Sequence, residues 1–185
     1  MSHDLGAALA LSDLLFDRQT LEAGIHRIAG EIDQAYAGTP GERPLLLTVM
    51  HGGLPFAAQL AMAMKTDLEF DYLHATRYRG NTTGSGLAWL HRPATPLRGR
   101  RVLIADDILD EGHTLKAVRN WCEDQGAARV LIAAMAVKQH ERCVSGLEAD
   151  YSGFMVPDQW HPWPDLGGNL KPSRTLLARS LRQEE

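Results

Sequence analysis

The sequence predicts an α/β fold with a parallel-dominated central sheet flanked by helices, and three observations carry that prediction. Apolar runs at 45–49, 102–104 and 130–137 are continuous rather than alternating, as in strands buried on both faces. The first two are each followed by a glycine-bearing turn and then by a helical apolar period. The second and third are joined as strand–turn–helix–strand, with about the length of a βαβ unit.

Taken in order, Thr20 offers a helix N-cap, and Leu21, Ile25, Ile28 and Ile32 repeat at helical spacing up to Tyr36. The 38–44 segment, GTPGERP, breaks that helix. Leu45–Val49 reads as a buried strand ending at Met50-His51-Gly52-Gly53, and Phe56, Ala57, Leu60, Ala61 and Met64 mark the helix after it. Leu68–Ala75 reads as another strand. Residues 77–86, RYRGNTTGSG, have no periodicity and form a loop, and Leu87–Leu90 resumes a strand. Val102–Ile104 then leads to Asp106 and Asp107 at a strand end, with Asp110-Glu111-Gly112-His113-Thr114 as a turn. Leu115, Val118, Trp121 and Cys122 lie on one helical face, Gly126 is a C′ candidate, and Val130–Val137 is the next strand. Ser152–Val156 reads as the last.

The chemistry concentrates at strand ends, where open parallel sheets bind ligands. A helix start after the 110–114 turn presents N–H groups and the positive end of the macrodipole, and it binds an anion without Lys or Arg. Gly112 permits close backbone approach, and the Thr114 hydroxyl can donate to a phosphate oxygen. Asp106 and Asp107 would repel that phosphate, so ribose hydroxyls or a Mg²⁺ shell suit them better. Alone, the Asp pair reads equally as solvated loop residues. His51-Gly52-Gly53 also reads two ways, as an anion-binding nest or as a structural tight turn. The oxyanion-hole reading of that tripeptide fails because the chain has no G-x-S-x-G nucleophile elbow. Lys138 alone reads as a surface lysine, and Trp160 alone as a core anchor.

Residues 101–115, RVLIADDILDEGHTL, resemble the phosphoribosyl-pyrophosphate signature of the type I phosphoribosyltransferases: four apolar residues, two acids, two apolar residues, then Asp-Thr-Gly-x-Thr. Glu111 stands where the family usually has Thr, which removes a hydroxyl donor and adds a negative charge. Lys138 and the Val-Pro-Asp-Gln-Trp run ending at Trp160 resemble the base-recognition segments of the hypoxanthine-guanine branch. The resemblance implies that Lys138 donates to a purine 6-oxygen, that Trp160 stacks on the base and that His161 contacts it through its backbone. It further implies that His51, Gly52 and Gly53 form the pyrophosphate loop, with His51 where the family often has Lys. That exchange keeps a donor but makes its charge depend on pH. Arg77, Tyr78 and Arg79 would sit on a flexible loop that closes over the site, Tyr78 matching the family's Ser-Tyr pair and Arg77 departing from it. Asp106 and Asp107 would hold ribose hydroxyls and metal, with Asp165 as a further metal ligand. Residues 110–114 would hold the 5′-phosphate, and Asp110 would act as general base.

The implied reaction is purine salvage: transfer of the phosphoribosyl group from 5-phosphoribosyl 1-diphosphate to hypoxanthine or guanine, with Mg²⁺ as cofactor. Two alternatives stand beside it, a xanthine-preferring enzyme and a non-catalytic regulator of the same fold that binds nucleic acid. The family also implies a small hood built from the chain ends, about 1–20 and 150–185, over a core of about 36–140, and a homodimer or homotetramer. The whole of 1–185 is expected to form a single domain.

Length and charge narrow the field. At 185 residues the chain can bury a substantial core, with 44% hydrophobic and 23% charged residues. A net charge of −4 argues against a nucleic-acid partner that needs a basic surface. Cys122 and Cys143 have neither metal-site nor disulfide-framework spacing. Reduced thiols, a polar N-terminus with Asp4 and Asp13, and no apolar run of ~18 residues lead us to expect a cytoplasmic protein without signal peptide or membrane span.

Overall fold

A computed structural model describes residues 12–37, 43–77, 87–158, 160–161 and 178–181. The elements are β1 (Ser12–Phe16), α1 (Arg18–Tyr36), β2 (Leu45–Val49), α2 (Gly53–Ala63), β3 (Glu69–Arg77), β4 (Leu87–His91), β5 (Arg101–Leu109), α3 (His113–Asp124), β6 (Arg129–Gln139), β7 (Tyr151–Pro157), β8 (Trp160–His161) and β9 (Ala178–Leu181).

Asp17, not Thr20, caps α1. Its backbone is extended and its carboxylate accepts the Thr20 N–H at 2.8 Å, so the helix starts three residues earlier than the apolar period suggests. The buried face of α1 is Leu21, Gly24, Ile25, Ile28, Ala29, Ile32 and Tyr36, the stripe read from the sequence. It packs with Phe56 and Leu60 of α2 over Leu46, Leu103, Ala105, Leu131 and Ala133 of the sheet. On the opposite face, Leu115, Val118 and Cys122 of α3 cover Leu45, Leu47, Val102, Ile104, Val130 and Ile132. Adjacent residues of β2, β5 and β6 thus serve opposite cores, which is why their sequences run apolar without alternation. Gly126 follows the α3 C-cap at φ +84°, as expected of a C′ glycine.

The main sheet has the order β4-β3-β2-β5-β6-β7, parallel except for the β3–β4 pair. From β2 the chain steps to β3 on one side and later returns to β5 on the other. The β2–β5 boundary is therefore a topological switch point, and a crevice opens there at the carboxyl ends of the strands. Register deepens it: β2 pairs with β5 only as far as Thr48↔Ala105, while β5 continues against β6 to Leu109↔Val137.

A second sheet, β1-β9-β8, joins residues from both ends of the chain in antiparallel pairs, Ser12↔Leu181 and Trp160↔Ser180 among them. The tail after Lys171, from which no chemistry could be read, contributes β9 to it. The expected hood boundaries shift accordingly. β7 pairs with β6 in the main sheet, and its Val156 joins the same buried cluster as α1, so residues 151–157 and the start of α1 belong to the core. Among the described residues no helix is long and apolar enough to cross a membrane.

Candidate functional site

The crevice at the β2–β5 boundary is walled by two glycine-bearing turns. The first follows β2. Its Met50–His51 peptide bond is cis, and Gly52 is the N-cap of α2 with no side-chain cap. A Cβ on Gly52 would lie 2.7 to 2.8 Å from three atoms of the Asp107 carboxylate, and one on Gly53 would lie 2.7 Å from the Ala105 carbonyl. Both glycines are therefore required by contact with β5, since neither has a positive φ. His51-Gly52-Gly53 is a structural tight turn, and it brings a helix start against an acidic pair. His51 also meets His74 of β3 edge-on, ring centroids 4.4 Å apart, a contact the sequence did not signal. Burial, and secondarily the His51 charge, lowers the His74 pKa.

Asp106 and Asp107 lie within β5 rather than beyond it, because the strand runs on to Leu109. They are not solvated loop residues. Asp107 is 9% exposed, and its backbone N–H donates to Asp106 Oδ1 at 2.9 Å. Burial, reinforced by the Asp107 charge, pushes the Asp106 carboxyl well above the carboxylate range. Two crowded carboxylates, with the ionisation of Asp106 suppressed this way, form an oxygen donor set that a hard divalent cation would relieve.

The second turn joins β5 to α3. Gly112 is the N-cap at φ +77°, with no side-chain cap on the first turn of the helix, and Thr114 sits half-buried in that turn. A Cβ at Gly112 would strike Leu147, and Val144 donates its N–H to the Glu111 carbonyl at 2.9 Å, so the 144–147 segment fixes the turn from behind. Glu111, the residue that departs from the signature, turns its carboxylate sideways. It lies 3.8 Å from His113 Nε2 and 4.0 Å from Arg142 Nε. These are partly exposed pairs of small energetic weight.

Asp110 is the hub of the site. Its Oδ2 takes Lys138 Nζ at 2.9 Å and its Oδ1 takes His140 Nε2 at 2.7 Å. Burial alone would raise its pKa, but the hydrogen bonds and charges of Lys138 and His140 outweigh that and hold it below the ordinary carboxylate value. Lys138 lies inside β6, its side chain only 4% exposed, so the surface-lysine reading is wrong. The Lys138 stem is buried because an opposing carboxylate waits at its end.

Three members of this network were missed in the sequence: His140, Arg142 and Asp158. Arg142 clamps Asp158 through two nitrogens at 3.0 and 2.6 Å, and its backbone N–H donates to His140 Nδ1 at 3.1 Å. The available signal was the i, i+2 spacing of Lys138 and His140 at a strand end. Potential ligand atoms of Asp110, His140 and Asp158 lie within 4.8 Å of one another. Lys138 and Arg142 already balance those carboxylates, which makes the group an ion-pair network rather than a metal site.

Trp160 and His161 are described as the backbone of β8, beyond Asp158. Arg77 is described as the backbone end of β3. Tyr78, Arg79 and Asp165 lie outside the described residues.

Comparison with known proteins bears on this geometry. The family model described as phosphoribosyl transferase domain matches residues 12–164. A hypoxanthine-guanine phosphoribosyltransferase of Streptococcus pneumoniae is 30% identical over 151 residues, 81% of this chain and 82% of that protein. One from Lactococcus lactis is 36% identical over 121 residues, 65% of each. Among solved structures, a hypoxanthine phosphoribosyltransferase variant of Trypanosoma cruzi complexed with the product IMP superposes with a TM-score of 0.81. It has 20% identity, and the match covers 93% of this chain and 91% of that one.

Proposed function

Since the chain belongs to the phosphoribosyltransferase family, among relatives named hypoxanthine-guanine phosphoribosyltransferases, we propose that it joins hypoxanthine or guanine to the phosphoribosyl group of 5-phosphoribosyl 1-diphosphate, releasing pyrophosphate. The observation that carries the reading is the buried Lys138 ammonium facing Asp110 at the carboxyl edge of the sheet, beside the turn that opens α3. An ammonium donor prefers a 6-oxo acceptor to a 6-amino donor, and the adjacent carboxylate can take the purine proton.

The roles follow from the local chemistry. The N–H groups of the 111–114 turn and the Thr114 hydroxyl bind the 5′-phosphate, while Glu111 stays with Arg142 and His113 and leaves the cradle to the main chain. Asp106 and Asp107 accept the ribose hydroxyls. Their paired oxygens also suit Mg²⁺, which when bound would neutralise charge on the departing pyrophosphate. His51, Gly52 and Gly53 direct the α2 start at that pyrophosphate. Asp110 takes the proton from the purine as N9 attacks C1 of the ribose, and Trp160 and His161 close the base pocket. Arg77, Tyr78 and Arg79 act as a lid, and Asp165 as a further metal ligand. The exposed Phe70, Tyr72 and Leu90 on β3 and β4 support a homodimer or homotetramer, and the free Cys122 and Cys143 fit a reducing, cytoplasmic setting.

The test is Asp110→Asn. Turnover should fall about 10²- to 10⁴-fold, the usual contribution of a positioned base. The Kd for 5-phosphoribosyl 1-diphosphate, measured by calorimetry, should stay near that of the native protein. Near-normal turnover would remove the base role.

A further inference from the structure

We propose that His140 is a positioning residue of the purine site, its Nε2–H holding one oxygen of Asp110 so that the other is left to the base when Lys138 turns to the purine 6-oxygen. The inference rests on the reading of Asp110 as the group that takes the purine proton.

The geometry divides the two oxygens of Asp110 between two donors of different kind. His140 Nε2 lies 2.7 Å from Oδ1 and Lys138 Nζ lies 2.9 Å from Oδ2. The Arg142 backbone N–H donates to His140 Nδ1, which identifies Nδ1 as the acceptor and puts the ring proton on Nε2, toward Asp110. His140 therefore presents its Nε2–H to Asp110 from a ring held in place at Nδ1, its side chain 5% exposed.

Lys138 has a second destination in the proposed reaction. When its ammonium moves to the base, Oδ2 loses both a hydrogen bond and a neighbouring charge, and it becomes the more basic oxygen. A carboxylate released at both oxygens could rotate toward Arg142. With Oδ1 still held, Oδ2 keeps its aim. The other charged groups around this pair are Asp158, 4.0 Å from His140 Nε2, Arg142 on Asp158, and Glu111 4.0 Å from Arg142. The half-buried Cys143 thiol also feels the Asp110 charge. Asp158 is clamped by Arg142, so His140 is the neighbour free to serve Asp110 throughout.

The experiment compares H140A and H140Q with the native protein, following pyrophosphate release with hypoxanthine across pH. In H140A, kcat should fall about tenfold, part of a full general-base contribution. KM for 5-phosphoribosyl 1-diphosphate should not change. The acid limb of kcat/KM for hypoxanthine should move to higher pH, because the ionised Asp110 has lost a donor. H140Q, whose amide can reach the same oxygen, should restore both rate and profile. Should H140A fold poorly, His140→Phe fills the ring volume without a donor and gives the same comparison. A native kcat and profile in H140A overturns the proposal. So does a loss of rate with no shift of the acid limb and no rescue by H140Q, the pattern of simple packing damage. Asp110→Asn run alongside separates the two claims. Normal turnover there defeats the base reading, whereas an inactive Asp110→Asn with an unperturbed H140A defeats only the role of His140.

Discussion

Substituting Gly52 by alanine should damage the site while leaving the fold in place. The backbone there has φ −58° and ψ −45°, which alanine adopts without strain. The added Cβ would nevertheless lie 2.7 Å from Asp107 Oδ2 and 2.8 Å from Cγ and Oδ1. An ordinary contact starts near 3.4 Å, so the carboxylate must retreat by about 0.7 Å. At 9% exposure Asp107 has little room to swing aside, and its backbone is held in β5. A displacement of about 1 Å in a positioning group costs on the order of 10²-fold in rate, so kcat/KM for 5-phosphoribosyl 1-diphosphate should fall about 10- to 100-fold. Global stability should fall by about 1–3 kcal/mol, the scale of overpacking a buried contact, with the fold retained. Gly30→Ala is the control: its Cβ meets nothing within 4 Å on the exposed side of α1. That substitution should raise stability by about 1 kcal/mol without changing activity. Steady-state pyrophosphate release and thermal denaturation of both variants give the comparison. A Gly52→Ala protein within about twofold of native kcat/KM would refute the argument that this glycine sets the position of Asp107.

Gly153→Ala tests the β6–β7 register, since its Cβ would fall on the Met135 carbonyl oxygen, a backbone atom that cannot rotate away. It should cost about 1–3 kcal/mol, read as a lowered Tm, and an unchanged Tm would contradict the pairing. Asp33 ties α1 to the turn after α2 by accepting the Lys65 and Thr66 N–H groups and the Thr66 hydroxyl at 2.7 to 3.0 Å. Burial would raise its pKa, but these donors overcome that and lower it. The folded-state value is depressed, so the stabilisation is full above the ordinary value of about 3.9 and fades as pH falls through the lower folded value. The Tm gap between native protein and Asp33→Asn should be full at about pH 6, corresponding to about 1.5–3 kcal/mol, and should close in strong acid. A gap that persists there would count against the ionised cap.

What could be read from the sequence was whatever lies close along the chain. The stripe on α1, the β5–α3 unit and the acid pair all depend on neighbours within a few residues, so periodicity and spacing revealed them. Gly112 and Thr114 were legible as a turn for the same reason, whereas the role expected of Asp110 came only from the resemblance to the family. The role of His140 was not legible, because it depends on Asp110 thirty residues earlier and on the Arg142 N–H that holds its ring. Lys138 was seen but its burial was not, since only the folded sheet brings Asp110 to its ammonium. The N-cap of α1 was misplaced because Thr20 and Asp17 are both good capping residues, and only the extended backbone at Asp17 decides between them. The tail offered no periodic signal, and β9 exists because β1 and β8 supply its partners.

On this reading the buried Lys138 selects 6-oxopurines for phosphoribosyl transfer. Pyrophosphate release from 5-phosphoribosyl 1-diphosphate, measured with hypoxanthine, guanine, xanthine and adenine in turn, tests it most directly. Base-dependent release with hypoxanthine and guanine, and none with adenine, is the expected result. Release with adenine, or with neither hypoxanthine nor guanine, would contradict it.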